Sequence, residues 1–133
     1  MNTKLNKILA EISAGELIDK ITILEIKKVK INDKLKLGLI KKEHKYLKDI
    51  LIAKIKLTKP VKENYSLLKK INSMLWDIED KKRKAEKNKK FDKTFISLAR
   101  KVYIYNDKRA EVKSIINNIT GSDIVEVKSY KKY

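Results

Sequence analysis

FISLARKVYIYNDKRAEVKSIINNI, residues 95–119, places Phe95, Leu98, Val102, Tyr105, Arg109, Val112, Ile116 and Ile119 at alternating three- and four-residue steps. That spacing puts all eight on one side of an α-helix and forms a coiled-coil-like seam. A helix of about 28 residues at 1.5 Å each is a rod of roughly 40 Å, and Gly121 is its natural stop. A rod with one apolar seam needs other helices to cover it.

The rest of the chain supplies them. Ser13-Ala14-Gly15-Glu16 has the form of a capping box, and Leu17, Ile21, Leu24, Ile31 and Leu35 follow at helical spacing toward a stop at Gly38. Ile23 and Ile26 fall on the opposite side of this first helix, so it is read as a central element or one shared with a second subunit. A second helix is expected from about Ile40 to Leu57, with Leu47, Ile50, Leu51 and Ile55 inward. Pro60 ends it. The third then starts near Val61 and buries Leu67, Leu68, Ile71, Met74, Leu75 and Ile78, and the lysine-rich run 81–90 is read as its frayed end plus a loop. Ile124-Val125-Glu126-Val127-Lys128-Ser129-Tyr130 alternates and reads as one short extended strand. The expectation is a single all-α domain over residues 1–133: a bundle of about four helices, two of them long, with an extended tail from about residue 121.

Composition narrows the chemistry. The chain has 133 residues, no Cys, one His, three Gly and one Pro. Thiolate zinc sites, disulfides and a Cys nucleophile are thereby excluded, and a turn-rich β fold is disfavoured. No apolar run approaches the ~18–20 residues that span a bilayer, and residues 1–10 lack the apolar core of a signal peptide. A cytoplasmic protein without membrane insertion is expected. The net charge is +17, yet only Arg83, Arg100 and Arg109 among the 34 basic residues are Arg. Readers of nucleic acid favour the Arg fork, so the charge reads either as the composition of an AT-rich genome or as affinity for acidic, polyanionic partners.

Particular residues stand out against this pattern. Arg109 interrupts the apolar seam and needs a carboxylate, since an unpaired buried charge costs several kcal/mol; Glu25, bordering the core face of the first helix, is the expected partner. Tyr65, Asn72, Trp76, Glu79, Asp80 and Arg83 form a second face on the third helix, and Trp76, the sole tryptophan, marks an interface or a ligand platform. Glu16 with Asp19 and Asp77 with Asp80 are acidic pairs at i, i+3, a donor set suited to Mg²⁺ or Mn²⁺. On the fourth helix Arg100, Tyr103, Asn106 and Asp107 lie beside the seam, as a helix contact or a polar pocket. His44 sits among lysines and is expected to be solvated.

Three strings and a tail signature, ISAGELIDKITILEIK (12–27), LWDIED (75–80), FISLARKVY with NDKRA (95–103 and 106–110) and Gly121-Ser122 with Glu126-Val127-Lys128-Ser129-Tyr130, resemble a family of small all-α bacterial and phage proteins classed as a domain of unknown function. The resemblance implies a site among Glu16, Asp19, Glu25, Trp76, Asp80, Arg100, Asn106, Asp107 and Arg109, and a setting near surface-polysaccharide genes. Its motifs do not include the lysine-rich run. The first helix is also similar to that of all-α chorismate mutases around Ile18-Asp19, but Lys27, Lys28 and Lys30 stand where those enzymes use Arg, and the rest of their pattern is absent.

Three functions are therefore weighed. The leading one is a non-catalytic binding module, dimeric through the two-sided first helix and Trp76. The others are a metal-dependent enzyme acting on a phosphorylated or carboxylated small molecule, and sequence-independent nucleic-acid binding through residues 81–90.

Overall fold

The structure, a computed structural model, describes residues 5–127 and 129. Four helices make up its regular structure: α1 (Ala14–Lys30), α2 (Lys34–Lys54), α3 (Lys59–Lys87) and α4 (Lys93–Thr120). The all-α bundle with two long helices is as expected. Within the tail, residues 122–127 carry neither helix nor strand; residues 128 and 130 of the expected strand lie outside the described residues.

α1 is the hub. It packs on each of the other three helices, α3 and α4 pack on one another, and α2 packs on α1. The two-sided apolar pattern thus finds its partners inside the chain: Ile18, Ile21 and Leu24 are buried on one side and Ile26 on the other. The main core joins Leu17, Ile18 and Ile21 to Leu51, Val61, Leu68, Ile71, Val112 and Ile116.

The helix boundaries differ from the expected ones for identifiable reasons. Asp33 caps α2 by accepting from the backbone N–H of Leu35 at 2.9 Å and from that of Lys36 at 3.2 Å. Such a cap starts a helix, so the chain breaks at residues 31–33 and Gly38 lies inside α2. Leu35, expected on the core face of the first helix, is 84% exposed. Thr58 caps α3 and Pro60 occupies its first turn, where a missing N–H costs nothing. Leu67, expected inside, is on the outer face of α3.

The lysine-rich run is regular helix to Lys87 rather than a frayed end, and the expected loop follows at residues 88–92. α3 continues to Lys87 and closes with a Schellman motif. In it Lys90 N–H donates to Ala85 C=O at 2.9 Å and Lys89 N–H to Glu86 C=O at 3.1 Å, with Lys89 left-handed at φ 55°. α4 ends as expected at Gly121, left-handed at φ 66°.

α1 begins against the far end of α4. The backbone N–H of Gly15 donates to Asn117 Oδ1 at 2.7 Å, that of Ala14 to Ser122 Oγ at 3.1 Å, and that of Glu16 to Ser13 Oγ at 3.0 Å. Three free donors of the first turn are thus satisfied, two of them by residues at the other end of the chain. Only half of the expected capping box forms, because the Glu16 side chain turns instead to Lys113 at 2.6 Å. The approach is close enough that a Cβ on Gly15 would stand 2.5 Å from the Lys113 carbonyl oxygen.

Candidate functional site

Three polar clusters radiate from α1. In the first, the carboxylate of Asp19, 1% exposed, accepts from Arg109 Nε at 2.8 Å and also from Arg109 Nη2. Asn72 Nδ2 donates to Asp19 Oδ1 at 2.9 Å and lies 3.0 Å from Thr22 Oγ1. The hydroxyl of Thr22 in turn donates to the Asp19 carbonyl at 2.8 Å. A buried charge is tolerable only with such partners. The hydrogen bonds to Asp19 hold the Arg109 guanidinium more firmly protonated than usual, against the opposing effect of burial.

One turn further along α4, Lys113 is buried between Glu16 at 2.6 Å and Glu126 at 2.9 Å. Burial pulls its pKa down, but the two carboxylates outweigh this and raise it. This contact ties the start of the tail to α4.

The third cluster surrounds Glu25. Its Oε2 accepts from the Tyr65 hydroxyl at 2.7 Å and lies 3.1 Å from His44 Nε2, while Lys69 Nζ stands 3.4 Å from Oε1. Lys48 donates to the Tyr65 hydroxyl at 3.2 Å and sits over its ring. Burial would push the Glu25 carboxyl up; Tyr65, His44 and the two ammonium groups reverse that and hold it below its ordinary value. Tyr65 is pushed well above its own, by burial and by the Glu25 anion.

Two expectations are corrected here. Arg109 pairs with Asp19, not Glu25, because Asp19 lies on the buried side of α1 facing α4 while Glu25 faces α2 and α3. His44 is not solvated: its side chain is 15% exposed and rests against Glu25.

Between α1, α3 and α4 runs a groove of about 430 Å³. Ile23, Ile26 and Leu75 form its apolar part, Asn72 and Arg109 belong to the buried network, and Trp76, Glu79, Asp80, Arg83 and Asn106 complete the lining. Four of the expected site residues, Trp76, Asp80, Asn106 and Arg109, therefore meet in one place. Glu25 stands apart, in its own cluster. Arg100 lines a shallow depression on the outer side of α4 with Lys93, Ile96 and Lys101, and Tyr103 and Asp107 are exposed. The expected second face of α3 divides: Tyr65 and Asn72 turn inward, and Trp76, Glu79, Asp80 and Arg83 border the groove.

The acidic pairs are engaged with cations for the most part. Glu16 meets Lys113 and Lys20, Asp19 meets Arg109, and Asp77 is 3.6 Å from Lys30. Among the described residues no group of three or more His, Asp or Glu is placed to hold a metal ion. No described helix is long and apolar enough to cross a membrane.

Sequence reasoning missed Lys113, Asn117 and Thr22. A usable signal existed for the first two, since both lie close to Ile116 on the buried side of the α4 seam, where polar groups require partners.

A small all-α bundle knit together by buried ion pairs, with an aromatic groove at one side, is the class these features define. The chain belongs to DUF6165, a family of unknown function, whose profile matches residues 8–133. No curated protein and no solved structure matches it.

Proposed function

We propose that this protein is a non-catalytic binding module that receives a compact polar ligand in the groove beside Trp76. The observation that carries the reading is the convergence of Trp76 and Asp80 from α3 with Asn106 and Arg109 from α4 on one groove. Its volume, about 430 Å³, is in the range of small-molecule sites, and Ile23, Ile26, Leu75 and Trp76 give it an apolar wall beside six polar side chains. An indole offers a flat apolar surface, Asp80 accepts hydrogen bonds, and Asn106 both donates and accepts. Arg109 is fixed by Asp19, so the floor is rigid before any ligand arrives. Because Asp19 and Arg109 are committed to each other, binding rather than chemistry is the favoured role. The family resemblance supplies the proposed setting, surface-polysaccharide metabolism in bacteria or phage.

A second copy of the chain is the accompanying proposal. Val29, Leu35 and Leu39, near the turn joining α1 and α2, are 80%, 84% and 70% exposed. Leu35 and Leu39 stand one turn apart on α2, and neighbouring exposed apolar side chains favour an apolar contact. Sedimentation of the protein and of Leu39→Lys tests it: the variant should shift to monomer, and a monomeric parent would refute the dimer.

Trp76 is the only tryptophan, so its emission reports on the groove directly. A panel of sugars, nucleotides, sugar nucleotides and carboxylate metabolites should contain a ligand that changes Trp76 emission saturably, is weakened at least roughly tenfold by Asp80→Ala, and is recovered unchanged. Conversion of the ligand would replace the binding module with an enzyme.

A further inference from the structure

Past the end of α1, the chain becomes a two-helix arm. The main core takes nothing from residues 79–104; in this stretch α3 and α4 pack chiefly on each other around Leu98, with Ala85, Phe95, Ala99 and Val102 half-buried. Residues 81–101 hold ten Lys and Arg against two Asp and Glu, and so contribute 8 of the net +17 charges. Lys82 is engaged with Glu79 at 3.6 Å. Lys81, Lys84, Lys87, Lys89, Lys90 and Lys93 are all exposed.

Helical order matters to what this charge can do. Lys81, Lys84 and Lys87 recur every third residue, about 4.5 Å apart along the axis, so the cations form a fixed row rather than a fluctuating coil. At the tip, among Lys89, Lys90 and Lys93, Phe91 is 53% exposed. Its ring is held nearly perpendicular to that of Phe95, at 85° with centroids 5.3 Å apart. An exposed aromatic ring set among cations is the combination that holds single-stranded nucleic acid, the lysines tracking phosphates and the ring stacking a base. Only two of the arm's ten basic residues, Arg83 and Arg100, carry the bidentate fork used to read base edges, and the rest are the point charges of Lys.

We propose that residues 81–101 form an arm that binds single-stranded nucleic acid without sequence preference, its lysine row contacting phosphates and Phe91 stacking on a base. Arg83 also lines the Trp76 groove, whereas Lys84, Lys87, Lys90 and Phe91 lie outside that lining. The extension of charge along the arm and not only around its apolar tip favours a linear polyanion over a membrane surface.

The test is fluorescence anisotropy with a labelled 20-nucleotide oligothymidylate, run on the full chain. The triple variant Lys84→Gln, Lys87→Gln, Lys90→Gln is compared with the control Lys34→Gln, Lys41→Gln, Lys62→Gln, which removes equal charge from elsewhere. The arm variant should lose at least roughly tenfold in affinity and flatten the log–log salt dependence by about 2, as expected at ~0.7 per phosphate contact, while the control loses under about threefold. Phe91→Ser should weaken oligothymidylate several-fold but leave heparin binding unchanged, and Phe91→Trp should restore it. Equal losses in both triple variants would reduce the effect to net charge and overturn the proposal. So would an unaffected Phe91→Ser, or binding to anionic phosphatidylglycerol vesicles alone.

Discussion

Arg109 closes on the buried carboxylate of Asp19 through two parallel hydrogen bonds, Nε to Oδ1 at 2.8 Å and Nη2 to Oδ2, joining α4 to α1 in the interior of the bundle. Asn72 brings α3 to the same carboxylate. Removing one member of a buried pair leaves the other charge uncompensated, at a cost of about 3–5 kcal/mol. Arg109→Ala and Asp19→Ala should each lose that much in urea denaturation. The double variant should lose less than the sum, with a coupling of about 0.5–3 kcal/mol. Glu25 shares no partner with Arg109, so the Glu25–Arg109 cycle should be additive within about 0.5 kcal/mol.

Two glycines in helices should respond in opposite directions to the same substitution. At Gly15 an added Cβ meets the Lys113 carbonyl at 2.5 Å, backbone that cannot step aside without separating α1 from α4. Gly15→Ala should destabilise by about 1–3 kcal/mol, the usual range for overpacking. At Gly38, inside α2, nothing lies within 4 Å of the added carbon. Gly38→Ala should therefore stabilise by about 0.5–1 kcal/mol through backbone entropy. Thermal unfolding of the two variants checks both signs.

Glu25 gives the fold an acid-sensitive contribution. Its carboxyl is held below the ordinary value of 4.5, because Tyr65, His44, Lys69 and Lys48 together outweigh the effect of burial. A carboxylate with a depressed folded-state pKa contributes stability that is present above its unfolded value and lost as pH falls through the folded one. The stability gap between the parent and Glu25→Gln should thus be full above about pH 4.5 and shrink below it. Denaturant midpoints taken across that range would show it, and a gap independent of pH would refute the assignment.

Much of the architecture is legible in the sequence because it rests on spacing. The α4 seam from Leu98 to Ile116 and the stop at Gly121 follow from helical period and a left-handed cap, both local properties. The α1–α2 boundary is harder to place, because Gly38 has the look of a terminator while the Asp33 cap, a stronger local signal, stands ahead of it. Trp76, Asp80, Asn106 and Arg109 stand out one by one, as an aromatic on a polar face or a charge in an apolar seam. What brings them together is the antiparallel pairing of α3 and α4, which no local pattern encodes. The same holds for Arg109 and its partner: Asp19 and Glu25 both border apolar positions of α1, and only the packing of α4 against one side selects Asp19.

The proposed ligand groove beside Trp76 can be examined at single-residue resolution. A ¹⁵N NMR titration with the strongest hit of the metabolite panel tests it most directly, since one indole N–H resonance belongs to Trp76 alone. That resonance and the Asn106 side-chain amide should shift together and saturate at one ligand per chain, with the signals around Tyr65 and Lys69 unmoved. A panel that yields no hit, or a hit that leaves the Trp76 indole unshifted while perturbing another surface, would contradict the account.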